Sequence, residues 1–109
     1  MSFRRRGIKV SVDTTEPAEL DILLYSVPQA VVDRIGSSLE RLPVSKTDVE
    51  LGPLLRREIE QHWCYFLPSL DKDRNVVVIV MAVTPVSKDG LNPTEIAQMV
   101  ATFRGAIGV

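Results

Sequence analysis

Val76-Val77-Val78-Ile79-Val80-Met81-Ala82-Val83 is an unbroken apolar run, and it constrains the fold more than any other part of the chain. Most of its residues are β-branched, which favours a strand. The run is too short to cross a bilayer as a helix. A strand that is apolar on both faces belongs in the middle of a sheet, with helices over at least one side.

The remaining segments supply the partners for such a strand. Ile8-Lys9-Val10-Ser11-Val12-Asp13 alternates apolar and polar residues, the period of a half-buried strand. Thr14-Thr15-Glu16-Pro17 carries a hydroxyl cap, an early acid and an early proline, which together predict a helix start. Leu20, Leu23, Leu24 and Val27 then recur at helical spacing and predict one apolar stripe. Pro28 interrupts, because the residue before a proline is steered away from helix. A second helix follows, with Val31, Ile35, Leu39 and Leu42 along one face, and Pro43 ends it. Residues 16–42 thus read as a helical hairpin.

Val44 to Gly52 reads as a loop. Leu54–Gln61 contains good helix formers but also alternates as a strand, with Ile59, Trp63, Tyr65 and Leu67 on one face. The aromatic run His62-Trp63-Cys64-Tyr65-Phe66-Leu67 favours strand, and we place its start near Glu58. Asp71-Lys72-Asp73-Arg74-Asn75 is a polar turn between two apolar runs, a hairpin signal. Asn92-Pro93-Thr94-Glu95 opens a last helix, with Asn as cap and Glu three residues on. Ile96, Met99, Val100, Phe103 and Ile107 form its stripe. The expected architecture is α+β: an N-terminal strand, a helical hairpin, an antiparallel sheet of three to four strands and a C-terminal helix.

The 109 residues fit a single domain, with residues 1–7 as a mobile terminus. The net charge of −1 and pI near 5.8 give no reason to expect a general nucleic-acid binder. Cys64 is the sole cysteine, so an intrachain disulfide is excluded. Arg4, Arg5 and Arg6 are not followed by the apolar stretch of a signal peptide, and a cytoplasmic location is expected.

Chemistry-bearing residues are sparse. His62 and Cys64 share one strand face and could approach, but the thiol reads as inert packing because no second base is near. One His and one Cys fall short of a metal-ligand set, and no cofactor motif is present. Asp71-Lys72-Asp73 begins like a calcium loop but lacks its glycine and distal glutamate. Glu58 and Glu60 read as exposed acids. Arg56 and Arg57 could engage phosphates or a partner's carboxylates. With His62, Tyr65 and Lys88 they form the candidate binding set, and whether nucleic acid is bound stays open.

From Ile8 to about Phe103 the chain resembles the RelE/ParE family of small bacterial toxins. The resemblance is carried by the first strand, the helix Val27-Pro28-Gln29-Ala30-Val31-Val32-Asp33-Arg34-Ile35, and Leu54-Leu55-Arg56-Arg57-Glu58-Ile59. The hairpin from Trp63–Leu67 to Val76–Val80 completes it. It implies a toxin-like component of a toxin–antitoxin system, wrapped by an antitoxin. The family's activities are messenger RNA cleavage on the ribosome or gyrase inhibition. The cleaving members carry an arginine where this chain has Trp63-Cys64-Tyr65, and a histidine or arginine where it has Thr84-Pro85-Val86-Ser87. The resemblance therefore implies a binding protein without ribonuclease chemistry. The alternative is a stand-alone oligomeric α+β module, open to a small ligand.

Assembly follows from the last helix. Leaving Ile96, Met99, Val100, Phe103 and Ile107 in water would forgo roughly 1.5–3 kcal/mol per side chain. The stripe must close the second sheet face or meet another chain, so a homodimer or a protein partner is expected through it.

Overall fold

A computed structural model of the chain describes residues 9–106. Its elements, in chain order, are β1 (Val10–Thr14), α1 (Glu16–Leu24), α2 (Gln29–Arg41), β2 (Val49–Leu51), β3 (Leu54–Ile59), β4 (His62–Leu70), β5 (Val76–Pro85) and α3 (Pro93–Ala106). Ile8, Ile107 and the Arg4–Arg6 run lie outside the described residues.

The α+β reading stands. The strands form one five-stranded sheet in the order β1-β5-β4-β3-β2. β1 runs parallel to β5, with Val10 opposite Val76 and Thr14 opposite Val80, and the other pairings are antiparallel. The apolar run occupies β5, between β1 and β4 as its two-faced pattern requires.

The two faces are covered separately. Val78, Val80 and Val83 join Cys64, Phe66 and Ile59 under α1 and α2, which contribute Ala18, Ile35 and Leu39. Ile96 and Val100 of α3 close the opposite face against Leu54, Tyr65, Met81 and Ala82. Pairing steps from Tyr65–Ala82 to Phe66–Val80, so Met81 is an extra residue on β5. This β-bulge leaves Met81 and Ala82 both on the α3 side.

Three expectations need correction. The first concerns Leu54–Leu67. A strand beginning near Glu58 and running through the aromatic segment would put Ile59 on the face of Trp63, Tyr65 and Leu67. Instead the chain reverses at Glu60 and Gln61, whose φ angles are 49° and 63°. Ile59 pairs with His62 across this two-residue turn, and Ile59 faces the helical hairpin while Trp63, Tyr65 and Leu67 face α3. Positive φ at both central residues is what a type I′ hairpin requires, but it usually advertises itself with Asn-Gly or Asp-Gly. Neither occurs here.

The second correction is an added strand. Val49–Leu51, expected as loop, pairs with β3 as the short outer strand β2. The antiparallel part of the sheet, β2 to β5, therefore has four strands, and the parallel β1 makes five.

The third concerns α1. Thr15 caps the helix through Ala18 N–H (3.4 Å) and donates its hydroxyl to Val80 O (2.9 Å). One turn further, the Asp21 carboxylate accepts Val83 N–H at 3.0 Å. β1 ends opposite Val80, whose carbonyl also accepts Thr15 N–H at 3.0 Å, and the Asp21 carboxylate satisfies the Val83 N–H beyond the end of β1. The contacts fix the rotation of α1, turning Ala18, Asp21, Ile22 and Tyr25 toward the sheet. Of the expected stripe only Val27 is buried, while Leu20, Leu23 and Leu24 point outward at 56, 76 and 73% exposure.

The helix-start expectations hold elsewhere. Asn92 and Glu95 form the reciprocal capping box at α3, with Glu95 N–H to Asn92 Oδ1 at 2.8 Å and Asn92 N–H to Glu95 Oε1 at 3.1 Å. The Asp71 carboxylate accepts Asp73 and Asn75 N–H (2.8 and 2.9 Å), so it organises the β4–β5 turn.

Candidate functional site

Strand alternation divides the candidate binding set. Arg56 and Tyr65 are register partners on the α3 side of β3 and β4. The Arg56 guanidinium stacks 4.1 Å from the Trp63 ring centroid. The fully buried Tyr65 accepts Leu91 N–H on its hydroxyl at 2.9 Å. A Cβ at Gly90 would lie 2.6 Å from that hydroxyl, so only glycine lets the β5–α3 loop settle there. Lys88, in the same loop, is exposed. Arg56 Nε and the Oγ1 of buried Thr84 lack hydrogen-bond partners among the described residues, and both flank Trp63 on this face.

Arg57 points the other way and holds structure together. It donates to both Asp48 carboxylate oxygens at 2.7 and 2.8 Å, and to Ser38 O and Oγ at 3.3 and 3.2 Å. The two side chains are 11 and 1% exposed. Burial pushes the Asp48 carboxyl up, but hydrogen bonds from Arg57 and Ser45 N–H and the guanidinium charge outweigh it and hold the group below its ordinary range. The pair ties β3 to the end of α2, and this cation is not free for a ligand.

His62 sits at the β3–β4 turn with Nδ1 2.8 Å from Glu60 O. Cys64 shares its strand parity but lies at full burial beneath the helical hairpin. Desolvation pushes the thiol up to about 12, more than the Arg57 charge lowers it, and Asp48 adds to the rise. A group held protonated in this way is a poor nucleophile.

The stripe of α3 is likewise divided. Ile96 and Val100 are buried in the chain's own core, so they are not available as an association surface. Met99 and Phe103 are half-buried beside two clefts that flank the helix. One, of 490 Å³, lies between α3 and the start of α1. The other, of 300 Å³, opens over Leu67, Ile79 and Met81. Among the described residues no basic side chain lines the first, and Arg104 lines the second.

Among the described residues, three of the exposed large hydrophobics cluster on the outer face of α1. Leu20, Leu23 and Leu24 stand at i, i+3 and i+4. The helix has Glu16, Glu19 and Asp21 and no basic residue. Three adjacent exposed leucines exceed the scatter of single apolar residues found on ordinary surfaces. Sequence periodicity located the stripe but not the side on which it would lie.

No protein-family model matches the chain, and no curated protein matches its sequence. Among solved structures, one chain of the RelBE2 toxin–antitoxin complex from Mycobacterium tuberculosis superposes with a TM-score of 0.52 at 19% identity. The match covers 72% of this chain and 99% of that one.

The chain shares the fold of that RelBE2 chain. Within the RelE-like fold, the helical hairpin and α3 cover opposite faces of the sheet, and Trp63-Cys64-Tyr65 occupies a central strand. Among the described residues no helix is long and apolar enough to cross a membrane.

Proposed function

We propose that this chain is the toxin-like component of a toxin–antitoxin pair and works by binding rather than by cutting RNA. The observation that carries the reading is the leucine face of α1, on a RelE-like fold. Burying Leu20, Leu23 and Leu24 against a partner would contribute roughly 1.5–3 kcal/mol each before the losses of association are counted. A partner helix with its own i, i+3, i+4 apolar positions fits such a face. Because α1 carries only acids, the complementary helix has lysine or arginine beside its apolar residues. In this reading association runs through α1 rather than through the α3 stripe that the sequence alone favours.

The distribution of cations supports a non-catalytic role. Arg57 is tied to Asp48, Arg56 lies over Trp63, and His62 stands on the opposite strand parity to both Arg56 and Tyr65. General acid–base chemistry needs such groups converging on one substrate atom.

The test is induced expression in a bacterial host, with and without the product of a short reading frame beside the gene. Ribosome-bound messenger RNA should stay intact, and the neighbouring product should co-purify with the wild type but not with Leu23→Glu/Leu24→Glu. Messenger RNA cut at ribosomes by the purified chain would overturn the non-catalytic reading.

A further inference from the structure

We propose that the 490 Å³ cleft between α3 and the start of α1 is a binding site for a small amphipathic cation. This surface is distinct from the leucine face of α1 and does not depend on it. The volume lies in the range of small-molecule pockets. Met81, Leu91, Met99 and Phe103 supply its apolar wall. Two thioethers beside an aromatic ring make a soft, adaptable surface suited to a flat or flexible apolar body.

Charge decides what kind of ligand fits. Glu16 and Glu95 both line the cleft, and among the described residues no Lys, Arg or His does. The two carboxylates come from different helices, so they present acid from two directions. Glu95 is positioned by Asn92 N–H on one of its oxygens (3.1 Å), which leaves the other for a ligand. Glu16 has no ion-pair partner among the described residues. A protonated amine at this rim would offset two otherwise unpaired negative charges, whereas an anionic ligand would meet repulsion. The apolar body would replace water over Met81, where the β-bulge turns an extra side chain toward α3.

Phenylbutylamine, phenylbutanol and phenylbutyrate share one body and differ in charge, so they separate the two contributions. Each is titrated into the folded chain at neutral pH while the methyl NMR signals of Met81 and Met99 are followed. The amine should shift both methyls saturably and bind at least about tenfold more tightly than the carboxylate, because like-charge juxtaposition is strongly disfavoured. Glu16→Gln and Glu95→Gln should each weaken the amine by about threefold, the scale of a part-exposed charge pair, and leave the alcohol unchanged. Glutamine at residue 95 can still cap α3, so this variant should remain folded. Equal affinity for amine and carboxylate would overturn the proposal. So would amine binding that leaves both methyls unmoved, indifference to both substitutions, or the absence of saturable shifts.

Discussion

At the residue scale, the buried polar groups serve architecture more than chemistry. Cys64 is enclosed between β4 and the helical hairpin, and its thiol is held protonated by desolvation. Iodoacetamide at neutral pH should leave the native protein unmodified and label Cys64 only after denaturation. Rapid labelling of the folded chain would contradict the burial. Arg57 and Asp48 form a pair whose loss on one side strands the other charge. Asp48→Ala should therefore destabilise the fold by about 3–5 kcal/mol in chemical denaturation, the usual penalty for breaking a buried pair.

Two carboxyls give opposite pH dependence. The folded Asp48 lies below the ordinary aspartate value of 3.8, so its contribution is present above that value and is lost as pH falls through the lower folded value. Asp21 is raised, chiefly by burial and against the hydrogen bond from Val83 N–H. Its contribution is full below 3.8 and declines as pH rises through the folded value. Asp21→Asn keeps an oxygen for Val83 N–H and removes the titration. The variant should gain stability relative to wild type as pH rises from acid to neutral, read from denaturation midpoints. A constant difference across that range would refute the assignment.

At the element scale, what could be read from the sequence depended on whether a signal was local. The β5 run, the Asn92–Glu95 capping box and the Asp71–Asn75 turn each carry their own chemistry, and each formed where expected. The β3–β4 hairpin did not announce itself, because Glu60 and Gln61 take positive φ without a glycine. Rotation of α1 was also hidden. Ala18, Asp21, Ile22 and Tyr25 form a second helical stripe, and only contacts with β5 decide between it and the leucines. Arg56 and Arg57 were legible as cations, but their division between opposite faces required the strand register.

These readings predict measurable asymmetries. Glu60→Asn/Gln61→Gly should raise stability by about 1 kcal/mol, since left-handed backbone is unfavourable for ordinary side chains. The exposed Arg34–Glu60 ion pair (3.3 Å) that it removes is worth little. Leu39→Ala, in the core beneath α2, should cost about 2–5 kcal/mol. Leu23→Ala should stay within about 0.5 kcal/mol in the isolated chain. Similar losses from the two leucine substitutions in urea denaturation would show that α1 is rotated the other way.

At the scale of the whole molecule, the sheet is closed by helices on both faces, but the outer layer is unevenly finished. α2 seals its side with Ile35 and Leu39, while α1 buries one apolar stripe and leaves another in water. α3 buries Ile96 and Val100 yet leaves open clefts beside Met99 and Phe103. Three leucines exposed on an acidic helix are the basis of the proposed partner contact. The most direct test is hydrogen exchange by mass spectrometry, on the chain alone and with the purified product of a short reading frame found beside the gene. The account predicts a complex in which amide protection rises over α1, residues 16–24, and Leu23→Glu/Leu24→Glu abolishes that protection without unfolding the chain. Protection confined to α3, or a complex indifferent to the double substitution, would contradict it.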